Sequence, residues 1–277
     1  MGLKRLIFES VSDFVIEVFR LNKANRLTCN LIERISPVYH LKHNGQEYHL
    51  FCPNRVTHWR AETFFTKEPE TIEWMDTFER GEVLFDIGAN IGLYSLYAAK
   101  KGVQVISFEP ESQNYALLNR NIHLNHVSDH VTCLNIALSD RDSFDYLYIP
   151  KVHVGESLNN FGEAIDWRHQ SFNPAFKQGV LSFSLDSFLA QYPNYFPTHI
   201  KIDVDGIESK IIKGAERTLQ DGRLKSLSIE INDNLPEDQE TVKAIESLGL
   251  KVLHKKHAQM FDSGEFQDIY NYVFIRH

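Results

Sequence analysis

From about residue 82 the chain alternates short apolar runs with amphipathic stretches. VLFDI (83–87) is followed by a glycine-containing turn and by LYSLYAAKKG, a helical stretch stopped at Gly102. VQVISF (103–108) precedes a helix over SQNYALLNRNIHLN, and VTCLNI (131–136) follows it. IKIDVDGIE (200–208) leads into SKIIKGAERTLQ, and SLSIEI (226–231) leads into DQETVKAIESLG. LKVLH (250–254) and YNYVFIR (270–276) come last, with no helical stretch between them. Regular strand–helix alternation predicts an α/β fold, a seven-stranded mostly parallel sheet covered on both faces. The last two strands lack a crossover, so the last strand is expected to run antiparallel.

Upstream the pattern differs. Ile7, Val11, Phe14, Val18 and Leu21 recur at helical spacing and predict an amphipathic helix over 3–21. Such a stripe suits packing on its own domain first, and otherwise a homodimer seam or a membrane surface. In VYHLKHNGQEYHLF (38–51), alternating residues flank Asn44-Gly45, a strong hairpin signal. Residues 1–60 therefore read as a helix and hairpin extension placed before a main domain of 61–277. Residues 141–185 interrupt the alternation without a clear helical period, yet carry His153, Trp167, Arg168, His169, Phe172 and Phe176. A long excursion above strand ends suits a substrate-facing insertion.

Composition narrows the class. The chain has 277 residues, 43% hydrophobic and 24% charged, as in ordinary globular domains. No segment approaches the ~18 consecutive apolar residues of a membrane span. Glu9, Asp13 and Glu17 break any signal-peptide core. Cys29, Cys52 and Cys133 lie far apart without a CxxC pair, so a cytoplasmic setting is expected, with neither a disulfide framework nor a zinc motif. Net charge is −8, from 37 acids against 29 bases, which argues against nucleic acid as a partner.

In doubly wound sheets, ligands bind beyond the carboxyl ends of the strands. The first such end reads FDIGANIG (85–92), with Asp86 at its tip and Gly88, Asn90 and Gly92 in the turn. Its glycines stand four apart, unlike the GxGxxG of dinucleotide sites. The second ends in Glu109-Pro110, where a carboxylate can accept from both hydroxyls of a ribose. The third, NIALSD (135–140), places Asn135 and the Ala137 backbone near a base. An acid-tipped glycine turn with a ribose acid suits S-adenosylmethionine, whose methionine portion would face Asp86–Gly92.

Together, VLFDIGANIGLYSLYAAK, SFEPESQNYALLNRNIHLN, NIALSD and IKIDVDGIESKIIKGA resemble the FkbM family of S-adenosylmethionine-dependent methyltransferases. The resemblance reaches upstream to KEPETIEWMD (67–76) and covers about residues 60–235. It implies a Rossmann-like class I methyltransferase fold and methyl transfer to a hydroxyl of a sugar, glycan or small natural product. Glu70 and Thr71 match the upstream segment and would close over the methionine end; they equally suit a helix start after Pro69.

Methyl transfer to a hydroxyl calls for alignment and for a general base. Asp203 is expected beside the cofactor's amino group or the transferring methyl. Asp205 is the first choice of base, with Lys201 deeper as an electrostatic partner and His153 as the rival base. Asp203, Asp205, Glu230 and NDN (232–234) could also gather oxygen ligands for a cation, but no local motif supports a metal. An NAD(P)-binding oxidoreductase on the same sheet, or a non-catalytic S-adenosylmethionine-binding protein, are the alternatives.

Overall fold

The computed structural model describes residues 33–168 and 170–276, together with Glu17 and Asn30. Two units divide the chain, residues 1–38 and 39–277, and the second carries the sheet. The 3–21 stripe, and any dimer seam on it, lies outside the described residues except for Glu17.

Strands β1 (Val38–His43) and β2 (Gln46–Phe51) form the hairpin. Asn44 and Gly45 both adopt positive φ, 47° and 77°, as a two-residue turn between twisted strands requires. Two short helices follow, α1 (Arg55–Glu62) and α2 (Pro69–Asp76). Asn54 caps α1 in a reciprocal box with Thr57. Pro69 opens α2, where its missing N–H is harmless.

The main sheet begins with β3 (Val83–Ile87), α3 (Leu93–Lys100), β4 (Gln104–Phe108), α4 (Ser112–Leu124) and β5 (Val131–Leu134). The hairpin attaches to α4 through two asparagines rather than through the sheet. The Phe51 N–H donates to Asn121 Oδ1 at 2.9 Å and the His49 N–H to Asn125 Oδ1 at 3.0 Å. Asn125 Nδ2 returns a bond to the His49 carbonyl at 2.7 Å.

The 141–185 segment, which shows no helical period, is β structure. β6 (Ala137–Leu138), β7 (Ser143–Ile149), β8 (Asn160–Phe161) and β9 (Phe176–Phe183) make a separate sheet ordered β6-β9-β7-β8. After α5 (Leu185–Gln191) the main sheet resumes with β10 (His199–Ile202), α6 (Glu208–Lys213), α7 (Glu216–Gln220) and β11 (Ser226–Asn232). It ends with α8 (Pro236–Ser247), β12 (Lys251–Lys256) and β13 (Ile269–Ile275).

The seven strands lie in the order β12-β13-β11-β10-β3-β4-β5, parallel except for β13. Both expectations, a mostly parallel sheet and an antiparallel last strand, are met. The strand order reverses between β3 and β10, which places a crevice at their carboxyl ends. Phe85, Ile87, Ile106, Phe108, Ile200 and Ile202 pack one face, and Leu84, Val105, Val131 and Val273 the other.

At the opposite, amino-terminal edge, Trp74 near the end of α2 donates to Ser226 Oγ at 2.9 Å. His199 bridges Ser226 Oγ and Glu82 Oε2 at 2.7 and 2.8 Å. Burial is the largest influence on Glu82 and works against it, but hydrogen bonds from Lys225, the Glu79 backbone and His199 bring its carboxyl down to about 2. Cys52 and Cys133 are free thiols that burial pushes up to about 11 and about 12. Among the described residues no helix is long and apolar enough to cross a membrane.

Candidate active site

The loop after β3 lies against two neighbouring strands. The Gly88 and Ala89 N–H groups both donate to the Phe108 carbonyl, at 2.9 and 3.1 Å. Gly88 has φ 81°, and a Cβ there would stand 1.9 Å from the Asp203 carbonyl oxygen. Only glycine lets the backbones approach so closely. Asn90, with φ 49°, donates its N–H to Glu109 Oε2 at 2.7 Å. Glu109 Oε1 accepts the Glu111 N–H at 2.8 Å. Burial pushes the Glu109 carboxyl up to about 8, against those two backbone bonds.

Some sequence candidates support the site from beneath. Asp86 is buried in a row that runs in register from Ser228 through Lys201 and Asp86 to Ser107. Its Oδ2 accepts from Ser95 Oγ at 2.5 Å, and its Oδ1 has no hydrogen-bond partner among the described residues. Burial raises the Asp86 carboxyl against the pull of Lys201. Gly92 abuts Leu118, where a Cβ would come within 2.3 Å of Cδ1. Asn135 fixes the Glu109-Pro110 turn by donating to both carbonyls, at 2.8 and 3.0 Å.

The IKIDVDGIE stretch departs from a continuous strand. β10 ends at Ile202, and Asp205 takes φ 59° with Gly206 at 114°. Lys201, Asp203 and Asp205 therefore do not climb one face together. Lys201 is buried, donates to Asp203 Oδ2 at 2.7 Å and lies 4.7 Å from the Tyr94 ring centroid. Burial opposes its charge, but Asp203, Glu68 and Asp86 overcome that and raise it. Burial would raise the Asp203 carboxyl too; Lys201 and Lys67 hold it below its ordinary value. Asp205 turns toward the insertion, its Oδ2 accepting the Leu158 N–H at 2.6 Å. Burial and the nearby Asp203 push it up to about 6.

These groups open on one cavity of roughly 280 Å³, close to the small end of ligand sites at ~300 Å³. Gly88, Asn90, Glu109, Pro110, Ala137, Asp203, Asp205 and Glu70 line it; Asp86, Gly92, Thr71, Asn135, Lys201 and His153 do not. His153 is exposed on the loop beyond. Thr71 bonds to Glu68 Oε2 at 3.4 Å, and Glu70 Oε1 accepts from Asn271 Nδ2 at 2.8 Å. Residues 154–160 run over the cavity, fastened by Asn54 to the Val154 carbonyl and by Asn90 and Asn114 to the Glu156 carbonyl.

Several lining groups are not among the cofactor residues expected from the sequence. Glu68 accepts from Lys67 Nζ and Tyr94 Oη, both at 2.7 Å. Arg60 reaches the cavity from α1. Glu230 lines it with no hydrogen bond or ion pair among the described residues, and burial, followed by Asp203, raises its carboxyl well above the ordinary value. Outward, Trp59, Trp167, Phe261 and Phe266 give an aromatic mouth, with the Trp167 and Phe266 centroids 5.4 Å apart. Asp233 of the NDN run instead binds Lys255 and Tyr272. Among the described residues no three His, Cys, Asp or Glu side chains are grouped to hold a metal ion.

Comparison with known proteins accords with this arrangement. The Methyltransferase FkbM domain matches residues 86–268. The methyltransferase sdnD of Sordaria araneosa is 32% identical over 155 residues, 48% of this chain and 60% of that protein. Methyltransferase 1 of Beauveria bassiana is 26% identical over 151 residues, 50% of this chain and 60% of that protein. A tRNA (guanine(37)-N(1))-methyltransferase of Danio rerio is 24% identical over 67% of this chain and 38% of its own length. The matches thus span well under two thirds of the length of these relatives. Among solved structures, Aeropyrum pernix fibrillarin with bound S-adenosyl-L-methionine aligns at TM-score 0.47 and 11% identity, covering 87% of this chain and 83% of that one. The domain match takes in most of the sheet and its cavity, and the chain belongs to the FkbM methyltransferase family.

Proposed function

We propose that the protein is an S-adenosylmethionine-dependent O-methyltransferase acting on a hydroxyl of a sugar, glycan or small natural product. The observation that carries the reading is the shared cavity of Glu109 at the end of β4, Asp203 after β10 and Glu230 on β11. The donor set fits the cofactor. Each Glu109 oxygen accepts one backbone N–H and keeps acceptor capacity for a ribose hydroxyl. Ala137, Leu138, Leu147 and Phe161 offer an apolar seat for adenine, and Asp203 a carboxylate for an ammonium group. Glycines 88 and 92, spaced without a GxGxxG, disfavour a dinucleotide.

When bound, the cofactor supplies a methyl group on a sulfonium. This chain's residues orient the partners and manage a proton. Of the three carboxylates at the ends of β10 and β11, Asp203 is engaged by Lys201 and Asp205 by the Leu158 N–H. Glu230 makes no such contact, so its ionised form takes the proton from the acceptor hydroxyl, in place of Asp205. The Trp59, Trp167 and Phe266 rings suit the flat, apolar face of a sugar or aromatic acceptor. The net charge of −8 favours such acceptors over RNA, and the dispersed cysteines favour a cytoplasmic setting.

The test is incubation with methyl-labelled S-adenosylmethionine and a panel of glycosides, phenolic natural products and tRNA, with products read by mass spectrometry. Label on a hydroxyl oxygen of a small acceptor is expected. Label on a base nitrogen of tRNA, or no measurable S-adenosylhomocysteine binding by calorimetry, overturns the reading.

A further inference from the structure

The cations around the cavity are not equally engaged. Lys67 is paired with Glu68 and Lys201 with Asp203, each at 2.7 Å. Arg60 differs. Its Nε donates to the Gly155 carbonyl at 2.6 Å, while its two terminal nitrogens have no hydrogen-bond or ion-pair partner among the described residues. That bond ties the guanidinium to the segment crossing the cavity and leaves its terminal donors free.

Six carboxyl groups share the cavity lining with Arg60: Glu68, Glu70, Glu109, Asp203, Asp205 and Glu230. None of them pairs with it. A half-buried guanidinium that makes direct contact with none of these six carboxyl groups is poised for an anion from outside the protein, for which its planar fork is suited. Its neighbours say where that anion lies. Arg60 also lines a smaller side pocket with Gly88, Asn90, Tyr94, Lys67 and Asp203. That pocket adjoins the loop after β3, and unlike the larger cavity it is not lined by Ala137 or Leu138.

We infer that Arg60 binds the carboxylate of the cofactor's amino-acid end, with Asp203 taking the ammonium beside it. The inference rests on the proposed use of S-adenosylmethionine. It assigns a cofactor contact to α1, upstream of the residues 86–268 that match the family domain. A guanidinium and a carboxylate side by side make a complementary pair for a zwitterion, and they distinguish a full amino-acid tail from a truncated thioether.

The test is calorimetric and needs no acceptor. S-adenosylhomocysteine carries the amino-acid tail, and 5′-methylthioadenosine lacks it. Arg60→Gln is expected to weaken S-adenosylhomocysteine about 10- to 100-fold, the loss of a charge-assisted contact. Affinity for 5′-methylthioadenosine should stay within twofold, and Arg60→Lys should restore part of the loss. Unchanged S-adenosylhomocysteine affinity in Arg60→Gln overturns the assignment, as does an equal loss for both ligands, which would mark a purely structural role for the Gly155 contact. If the native protein binds neither ligand, the cofactor reading itself fails and the assignment fails with it.

Discussion

The Lys201 ammonium lies 2.7 Å from the Asp203 carboxylate, and this pair straddles the point where β10 gives way to a loop. Lys201 is 2% exposed on its side chain and Asp203 30%. Lys201→Met should therefore cost on the order of 3 kcal/mol, the lower end for breaking a buried pair, because Asp203 retains some water. Without Lys201, only Lys67 and Arg60 oppose burial, so the Asp203 carboxyl rises from its depressed value. The depressed carboxyl of the native protein contributes stability that is lost as pH falls through its folded value, so the deficit of the variant should shrink as pH falls to about 4 and below. Chemical denaturation at pH 7 and pH 4 checks both points.

Glu109 gives cofactor binding its own pH dependence. With its carboxyl pushed up to about 8, the unliganded protein holds a proton there at neutral pH. Ribose hydroxyls donate to the charged form, so binding releases that proton and affinity rises with pH. Below pH 8 the rise should approach about tenfold per unit, flattening above it. Calorimetry with S-adenosylhomocysteine from pH 6 to 9 measures it, and Glu109→Gln should show a weak, flat profile.

Gly88→Ala should be among the most damaging small substitutions. The new Cβ would lie 1.9 Å from the Asp203 carbonyl oxygen, at a φ of 81° that alanine disfavours. The bond between the Asp203 N–H and the Ile87 carbonyl, 3.1 Å, would have to yield. A loss of at least ~1 kcal/mol in stability is expected, with weakened cofactor binding. Thermal unfolding and calorimetry on the same sample read the two effects.

Glu230→Gln should lower turnover of a methylated acceptor about 100-fold or more while S-adenosylhomocysteine affinity stays within a fewfold. Asp205→Asn should cost less, since the Asp205 carboxyl is committed to the Leu158 N–H. The reverse ranking would return the role of base to Asp205.

Much of the architecture was legible because the sheet rests on local patterns. Apolar runs such as VLFDI and SLSIEI became β3 and β11, and Asn44-Gly45 became the hairpin turn. The insertion was less legible. β7 reads SFDYLYI, and its exposed Phe144 and Tyr146 blur the alternation that marks a strand. IKIDVDGIE misled for a related reason, since alternation does not reveal where a strand stops; Asp205-Gly206 was the available signal for a left-handed turn. The motifs located Gly88, Asn90 and Glu109 in the cavity wall. Glu68 and Tyr94 lie in family-like segments and Arg60 in none, and only tertiary packing brings the three together.

Helix α2 touches both ends of the sheet. Glu68 and Glu70 at its start border the cavity, while Trp74 near its end bonds to Ser226 at the opposite edge. Its 8 residues rise about 12 Å, at ~1.5 Å each. Its Glu70–Asn271 and Trp74–Ser226 bonds hold it to β13 and β11 at two separate points. A single residue inserted in it would turn one end by about 100° relative to the other. The Trp74 anchor and the Glu68–Tyr94 contact could not then both survive, so the distance between the sheet's two rims is a quantity this helix keeps.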